Sequence, residues 1–356
     1  MSHNGRVARE LSVAATSRRE RRGPWRPGPF DRSVAELEEL LEGEPPYRLT
    51  QLLDGLRRRS AWVTELTELP RALRDRLAEP CAPGLTPLER RSADRGATLK
   101  WVFATSDGAR VETVLMAYPR RTTVCVSTQA GCAMGCPFCA TGQGGFVRHL
   151  TSGEILEQVA WARRERPVTH VVMMGMGEPL ANYGRTVSAL RRLHQELGIS
   201  ARRLTVSTVG IVPGIRRLAA EDLPVNLAVS LHAANDALRD RLVPINRRWP
   251  LSALAEACAE WTARTRRRLS LEWAVIAGVN DRPSDAQELA RFAHPLRAHV
   301  NLIPLNETPG FRPTAPGLAE RFAALLAPLG VNATVRETRG RQIAAACGQL
   351  AGQPTG

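Results

Sequence analysis

An α/β fold is predicted, built on six successive βα units whose parallel strands form a closed or partial barrel, preceded by a small helical unit and a linking β-hairpin. Three observations carry this. Short β-branched runs recur from Thr122 onward, amphipathic stretches of helical spacing separate them, and residues 31 to 80 carry helical spacing alone. Six units fall short of the eight of a standard closed barrel. A chain of 356 residues with 43% hydrophobic residues can fill such a core and a smaller second one.

Residues 1–30 contain "SRRERRGPWRPGPF", basic and rich in Pro and Gly without apolar periodicity, and read as a disordered basic arm, a transit peptide being the alternative. Residues 31–95 read as a helical accessory domain, from "SVAELEELL", "YRLTQLLDGL" and "LPRALRDRLAEP". Residues 96–121 alternate apolar and polar residues around Asp107-Gly108, a β-hairpin signal. In residues 122–350 the runs "TTVCVST", "VTHVVMMG", "RLTVST", "VNLAVSL", "LSLEWAVI" and "AHVNLIPL" read as strands. Between them "TSGEILEQVAWARRE" opens with a capping box, Thr151 at the cap and Glu154 three residues on. "LSALAEACAEWTARTRR" and "GLAERFAALLAPLG" are similarly periodic, and no internal repeat is visible.

Forty-nine Lys plus Arg against 35 Asp plus Glu give a formal net charge of +14, which favours an anionic partner, nucleic acid first. Lys100 is the only lysine, an arginine bias that fits GC-rich coding. No stretch approaches the roughly 20 apolar residues of a membrane span, and the N-terminus lacks the apolar core of a secretory signal, so a cytoplasmic monomer without membrane contact is expected. In a reducing compartment seven cysteines suggest metal or redox chemistry rather than a disulfide framework.

Three of them, Cys132, Cys136 and Cys139, form a C-x3-C-x2-C pattern directly after the first predicted strand. Structural zinc takes four protein ligands, whereas a cubane held by three cysteines keeps one iron open for another ligand. A zinc knuckle completed by Cys125 or His149 is the alternative. The second strand ends in "MGMGEP", the third in "STVG", the fourth in "SLH" and the sixth in "PLNETPG", all at the end of a βα barrel where reactive groups gather. The spacing, with Phe138 before the last cysteine, resembles the cluster motif of the radical S-adenosylmethionine (SAM) superfamily. That resemblance implies a partial (βα)6 radical SAM barrel, a [4Fe-4S] cluster on the three cysteines, and SAM chelated to the open iron. It further implies that Gly177 and Glu178 receive the SAM amino group, and that Ser207, Ser230, Leu231, His232 and Asn306 contact its ribose, carboxylate or adenine. The bland alternatives are a solvated loop for Glu178, loop capping for the others, and a satisfied buried imidazole for His232.

The segments "CVSTQAGCAMGCPFCATGQGGF", "MGMGEPLANY", "NLAVSLHA", "HVNLIPLN" and "ACGQLAG" together resemble the RlmN family, radical SAM methyltransferases acting on adenine C2 of 23S ribosomal RNA; the likeness spans roughly residues 31 to 352. An electron-poor amidine carbon offers no nucleophile to SAM, so a radical route is needed. The resemblance implies that one SAM methylates Cys347 and that a second is cleaved to a radical activating that methyl group. After addition to C2, Cys125 attacks Cys347, and a transient disulfide releases the product. Glu112 matches the family's proton acceptor, with Cys125 competing for that role and a solvated hairpin glutamate as the plain reading. Adenine 37 of transfer RNA is implied as a second substrate, and flavodoxin or ferredoxin as electron donor. Gln342 stands where the family often has an acid, and Glu307 where proline is expected. Cys81 and Cys258 carry no signal beyond packing. A Cfr-type enzyme methylating C8 of the same adenine is the nearest rival, and a non-catalytic, zinc-stabilised RNA-binding protein the rival of another class. A methylthio-transferring enzyme would need a second set of cluster cysteines, which residues 1 to 120 do not provide.

Overall fold

The computed structural model describes residues 22–352. Three antiparallel strands, β1 (Leu85–Ala93), β2 (Thr98–Thr105) and β3 (Arg110–Tyr118), lead into β4 (Arg121–Cys125). A two-stranded piece, β5 (Gln129–Gly131) with β6 (Phe146–His149), follows. Then come β7 (His170–Met173), β8 (Leu204–Thr208), β9 (Asn226–Ser230), β10 (Ser270–Val275), β11 (His299–Pro304) and β12 (Ala333–Val335). All but β5 and β6 join one ten-stranded sheet in the order β1-β2-β3-β4-β7-β8-β9-β10-β11-β12, parallel from β4 onward. Its edges, β1 and β12, do not pair, so the barrel stays open.

All six expected parallel strands are present, and β12 adds a seventh. Six α-helical crossovers connect the seven: Ser152–Glu165, Tyr183–Gln195, Val212–Ala220, Leu251–Thr265, Pro283–Ala293 and Leu318–Leu326. The capping box at Thr151 is formed, with the Glu154 amide donating to the threonine hydroxyl and the Thr151 amide to the Glu154 carboxylate. Leucine, valine and isoleucine from strands and crossovers build the main core around Trp261 and Trp273.

Two boundaries differ from expectation. Residues 85–93, assigned to the helical domain, form β1; its polar sequence suits an edge strand, and Pro87 sits at a register shift, where a missing N–H costs no ladder bond. The hairpin expected over 96–121 is therefore part of a three-stranded extension. Most of the expected disordered arm lies outside the described residues, but its end packs. Phe30 is 1% exposed and edge-on to Trp62, and Arg26 exchanges two hydrogen bonds with Ser106. The helices Val34–Glu39, Tyr47–Leu53 and Arg71–Leu77 share a second core of Leu37, Leu52, Leu56, Leu66 and Leu73, separate from the first.

Candidate active site

The chain leaves the C-terminal end of β4 into the cysteine loop, which β5 and β6 pinch shut. The Cys132 amide donates to Gly145 O at 2.8 Å. Gly131, at φ +71°, sits so close that a Cβ would lie 2.0 Å from the same oxygen, so only glycine closes this neck. Burial pushes the Cys132 thiol up to about 11, with charge on Glu178 and Cys139 acting in the same direction. Burial also raises Cys136, reinforced by Cys139 and Cys132. Cys132 and Cys136, whose ionisation burial and neighbouring charge oppose, suit a cationic centre, which stabilises thiolates, and Arg239, buried beside Cys136, adds a positive charge there. Among the described residues no three of His, Cys, Asp and Glu converge closely enough for a single metal ion. The alternative fourth zinc ligands are engaged elsewhere: His149 Nδ1 meets Gln129 Nε2 at 3.0 Å, and Cys125 neighbours Cys347. The donor set fits a cluster with three protein ligands.

Gly177 and Glu178 follow β7. Gly177 has φ +96°, and a Cβ would strike Gln129 Cβ at 2.5 Å, so glycine meets both a backbone and a packing demand. The Gln129 side chain accepts the Glu178 amide at 2.8 Å, joining this loop to the cysteine loop. The buried Glu178 carboxylate accepts the amides of Leu180 and Val209, each at 2.9 Å. Desolvation nevertheless pushes it up to about 7. Glu178 is therefore no solvated loop residue.

Ser207, Ser230 and His232 line the same pocket as Cys136, Cys139 and Glu178. His232 has φ +57°, and its Nδ1 accepts the Ala274 amide at 2.9 Å, which places the ring proton on Nε2. Burial lowers its ionisation to about 3, so the imidazole is neutral. Two expected contacts are not pocket walls. Leu231 points into the main core. Asn306 is buried, donates from Nδ2 to Cys347 O at 3.2 Å and accepts from Arg341 Nε at 3.2 Å, so it holds the cysteine's turn.

Cys347 lines the pocket with Gly348, and the turn is stitched to the cysteine loop: Ala140 N donates to Gly348 O at 2.8 Å, and Thr141 Oγ1 to Leu350 O at 2.5 Å. Cys347 is exposed to solvent, yet the protein packed around it raises its thiol by desolvation, Arg336 opposing and Glu272 adding to the shift. Cys125 lies outside the pocket wall, in an apolar nest with Val114, Met176, Ile343 and Leu350, close enough for its charge to interact with Cys347. Both cysteines are free thiols in this state. Glu112 is likewise outside the pocket wall. Its Oε1 accepts the amides of Ala351 at 2.9 Å and Gly352 at 2.7 Å, and its Oε2 pairs with Lys100 Nζ at 3.0 Å. The plain reading of Glu112 as a solvated hairpin residue is overturned, since β2, β3 and the C-terminal segment bury it. The two departures, Gln342 and Glu307, are exposed.

Sequence reasoning missed the contribution of β10, which brings Glu272 into the pocket with one carboxylate oxygen held by Asn301 at 2.8 Å. It also missed Arg239, whose guanidinium reaches the carbonyls of Val209, Ser230 and Leu231 and so ties the ends of β8 and β9 together. Nothing in an amphipathic "DALRDRL" distinguishes this arginine from its neighbours. Lys100 did carry a signal, as the single lysine in an arginine-rich chain.

A model of the radical SAM superfamily matches residues 126–293. The chain is 53% identical over 311 residues to the probable dual-specificity RNA methyltransferase RlmN of Parafrankia sp. (strain EAN1pec), covering 81% of each chain. To the protein of the same description from Salinispora tropica it is 48% identical over 355 residues, 95% of each. Its fold is similar to the crystal structure of a radical SAM methyltransferase from Sphaerobacter thermophilus, with TM-score 0.86 and 48% identity over 93% of this chain and 100% of that one.

Proposed function

Because this chain belongs to the RlmN family of radical SAM RNA methyltransferases, we propose that it methylates C2 of an adenine in 23S ribosomal RNA through an S-methyl group on Cys347. The observation that carries this reading is the placement of Cys347 in one pocket with Cys136, Cys139 and Glu178, while Cys125 waits behind it. Cys132, Cys136 and Cys139 would hold a [4Fe-4S] cluster, which with SAM supplies one-electron chemistry and, over two SAM molecules per turnover, the methyl group.

The chain's own residues then divide the work. Glu178 presents a carboxylate to the SAM amino group, and Ser207, Ser230 and neutral His232 offer polar contacts around the nucleoside. The raised Cys347 thiol gives up its proton when its sulfur takes the methyl group. Once that carbon is bonded to the adenine, the Cys125 thiolate attacks Cys347 Sγ. The S–C bond breaks, its electron pair stays on the nucleotide's carbon, which takes up a proton to complete the methyl group once the C2 proton has been removed, and a Cys125–Cys347 disulfide remains. Glu112 acts as the C2 proton acceptor only when the amides of Ala351 and Gly352 leave it. Digestion of methylated RNA and identification of the isomer tests the assignment: 2-methyladenine is expected, and 8-methyladenine would select the Cfr-type alternative. The same assay on purified transfer RNA tests adenine 37 as a second substrate, with flavodoxin or ferredoxin as reductant.

A further inference from the structure

The segment that carries Cys347 has little regular structure of its own. Beyond β12, among the described residues, it forms only the short turn Arg341–Ile343, and Gly340, Ala344, Gly348 and Gly352 all adopt positive φ. Ala344, at φ +49°, is the one non-glycine of these, a conformation that persists only where the surroundings impose it. What fixes the segment must come from elsewhere in the fold. Two charged side chains reach it from the antiparallel extension. Lys100 Nζ, on β2, donates to Ala344 O at 3.2 Å, and Glu112 Oε1, on the adjacent strand β3, accepts the amides of Ala351 and Gly352. Lys100 and Glu112 also pair with each other, at 2% and 1% exposure. The contacts bracket Cys347, three residues before it and four and five after.

A buried ion pair is a poor device for stability, because desolvation of both charges offsets their attraction and apolar groups of similar volume do as well or better. The residue choice is equally pointed. Every other basic position apart from histidine is arginine, yet this one is lysine. A compact ammonium with three rotatable donors can face a carboxylate and one strained carbonyl together, whereas a planar guanidinium needs more room and a fixed fork. We infer that Lys100 is a positioning residue that, with Glu112, latches residues 344–352 onto β2 and β3 and so holds Cys347 towards the pocket. The consequence for turnover rests on Cys347 being the methyl carrier; the latch itself is independent of that reading. Asn306 and Thr141 hold the turn from its other side, so the latch sets where the segment rests on the antiparallel extension.

The test compares Lys100→Met, Lys100→Arg and the charge-neutral pair Lys100→Met/Glu112→Gln with the unaltered full chain, the double variant guarding against a fold lost to an unpaired buried carboxylate. Amide hydrogen exchange of the peptide spanning 340–352, read by mass spectrometry without cofactors, should accelerate at least tenfold in Lys100→Met and in the double variant. Exchange in β4 and β7 to β11 should stay unchanged. Arginine should not restore the slow exchange. In the anaerobically reconstituted protein, iron content and SAM affinity should be retained, while methylation of Cys347 in the absence of RNA should slow at least tenfold. A proton acceptor for the RNA carbon is not needed in that step, so its loss reports positioning. Unaccelerated exchange in the double variant would overturn the latch, as would faster exchange with an unchanged rate of Cys347 methylation. RNA methylation persisting in Cys347→Ala would instead overturn the methyl-carrier reading, and the exchange result would stand apart from it.

Discussion

At the scale of single residues, the pocket is built from groups whose charge states burial has displaced. Glu178 shows the consequence most clearly. Its carboxyl is pushed up to about 7 by desolvation, so near neutral pH it binds a proton, which under the proposed function the SAM ammonium must displace. The sign follows: below pH 7 the protonated form dominates and SAM binding weakens, by up to about tenfold per pH unit, while above it the affinity levels off. Calorimetric or filter-binding titrations between pH 6 and 8.5 should show this slope, and Glu178→Gln should bind weakly with the slope abolished. A flat profile in the unaltered protein would separate Glu178 from the amino group. The Cys347 thiol, although exposed, is raised by desolvation from the protein around it, and Arg336 opposes that shift. Arg336→Met should therefore slow Cys347 methylation severalfold at pH 7 and less at pH 9, followed as methyl incorporation into the protein.

At the scale of elements, the junctions between strand ends and loops decide the site, and two glycines predict opposite outcomes. Gly177→Ala places a Cβ 2.5 Å from Gln129 Cβ at positive φ, and the strain and overpacking together should cost about 2–4 kcal/mol. Gly184 lies in the Tyr183–Gln195 helix, where an added methyl group would meet nothing within 4 Å, so Gly184→Ala should stabilise by about 0.5–1 kcal/mol. Denaturant midpoints of the two variants check the pair. These elements also explain what the sequence could announce. The six long parallel strands were legible because each is a β-branched run of four to six residues flanked by helical spacing. β12 has three residues and β5 three, too short for any periodicity to register, and β1 is too polar to read as a strand. The cysteine loop and the "MGMGEP" turn were visible because their chemistry is local in sequence. Glu272 lay hidden inside a predicted strand, and the Lys100–Glu112 contact with the C-terminal segment joins residues about 240 positions apart, a relation no local pattern contains.

At the scale of the whole molecule, a cofactor-binding sheet, an antiparallel extension and a separately cored helical unit share a chain of net charge +14. Phosphate contacts release counterions, so the logarithm of RNA affinity should fall linearly with the logarithm of salt, by roughly 0.7 to 0.9 for each phosphate neutralised. SAM affinity should be much less sensitive, which filter binding of both ligands across a salt series would check. Among the described residues no helix is long and apolar enough to cross a membrane. The extension clamps the C-terminal segment from one side and the cysteine loop stitches it from the other, and this arrangement gives the two remote cysteines unequal positions: Cys347 in the pocket, Cys125 behind it. Under the proposed function these unequal positions go with unequal roles, Cys347 bonding to RNA first and Cys125 releasing it afterwards. The most direct measurement is made on Cys125→Ala purified from cells, treated with ribonuclease and digested, with the mass of the Cys347 peptide determined. A nucleotide-sized addition on Cys347 is predicted, since no thiol remains to break the link; an unmodified Cys347 peptide from a variant that still methylates RNA at the full rate would contradict the account.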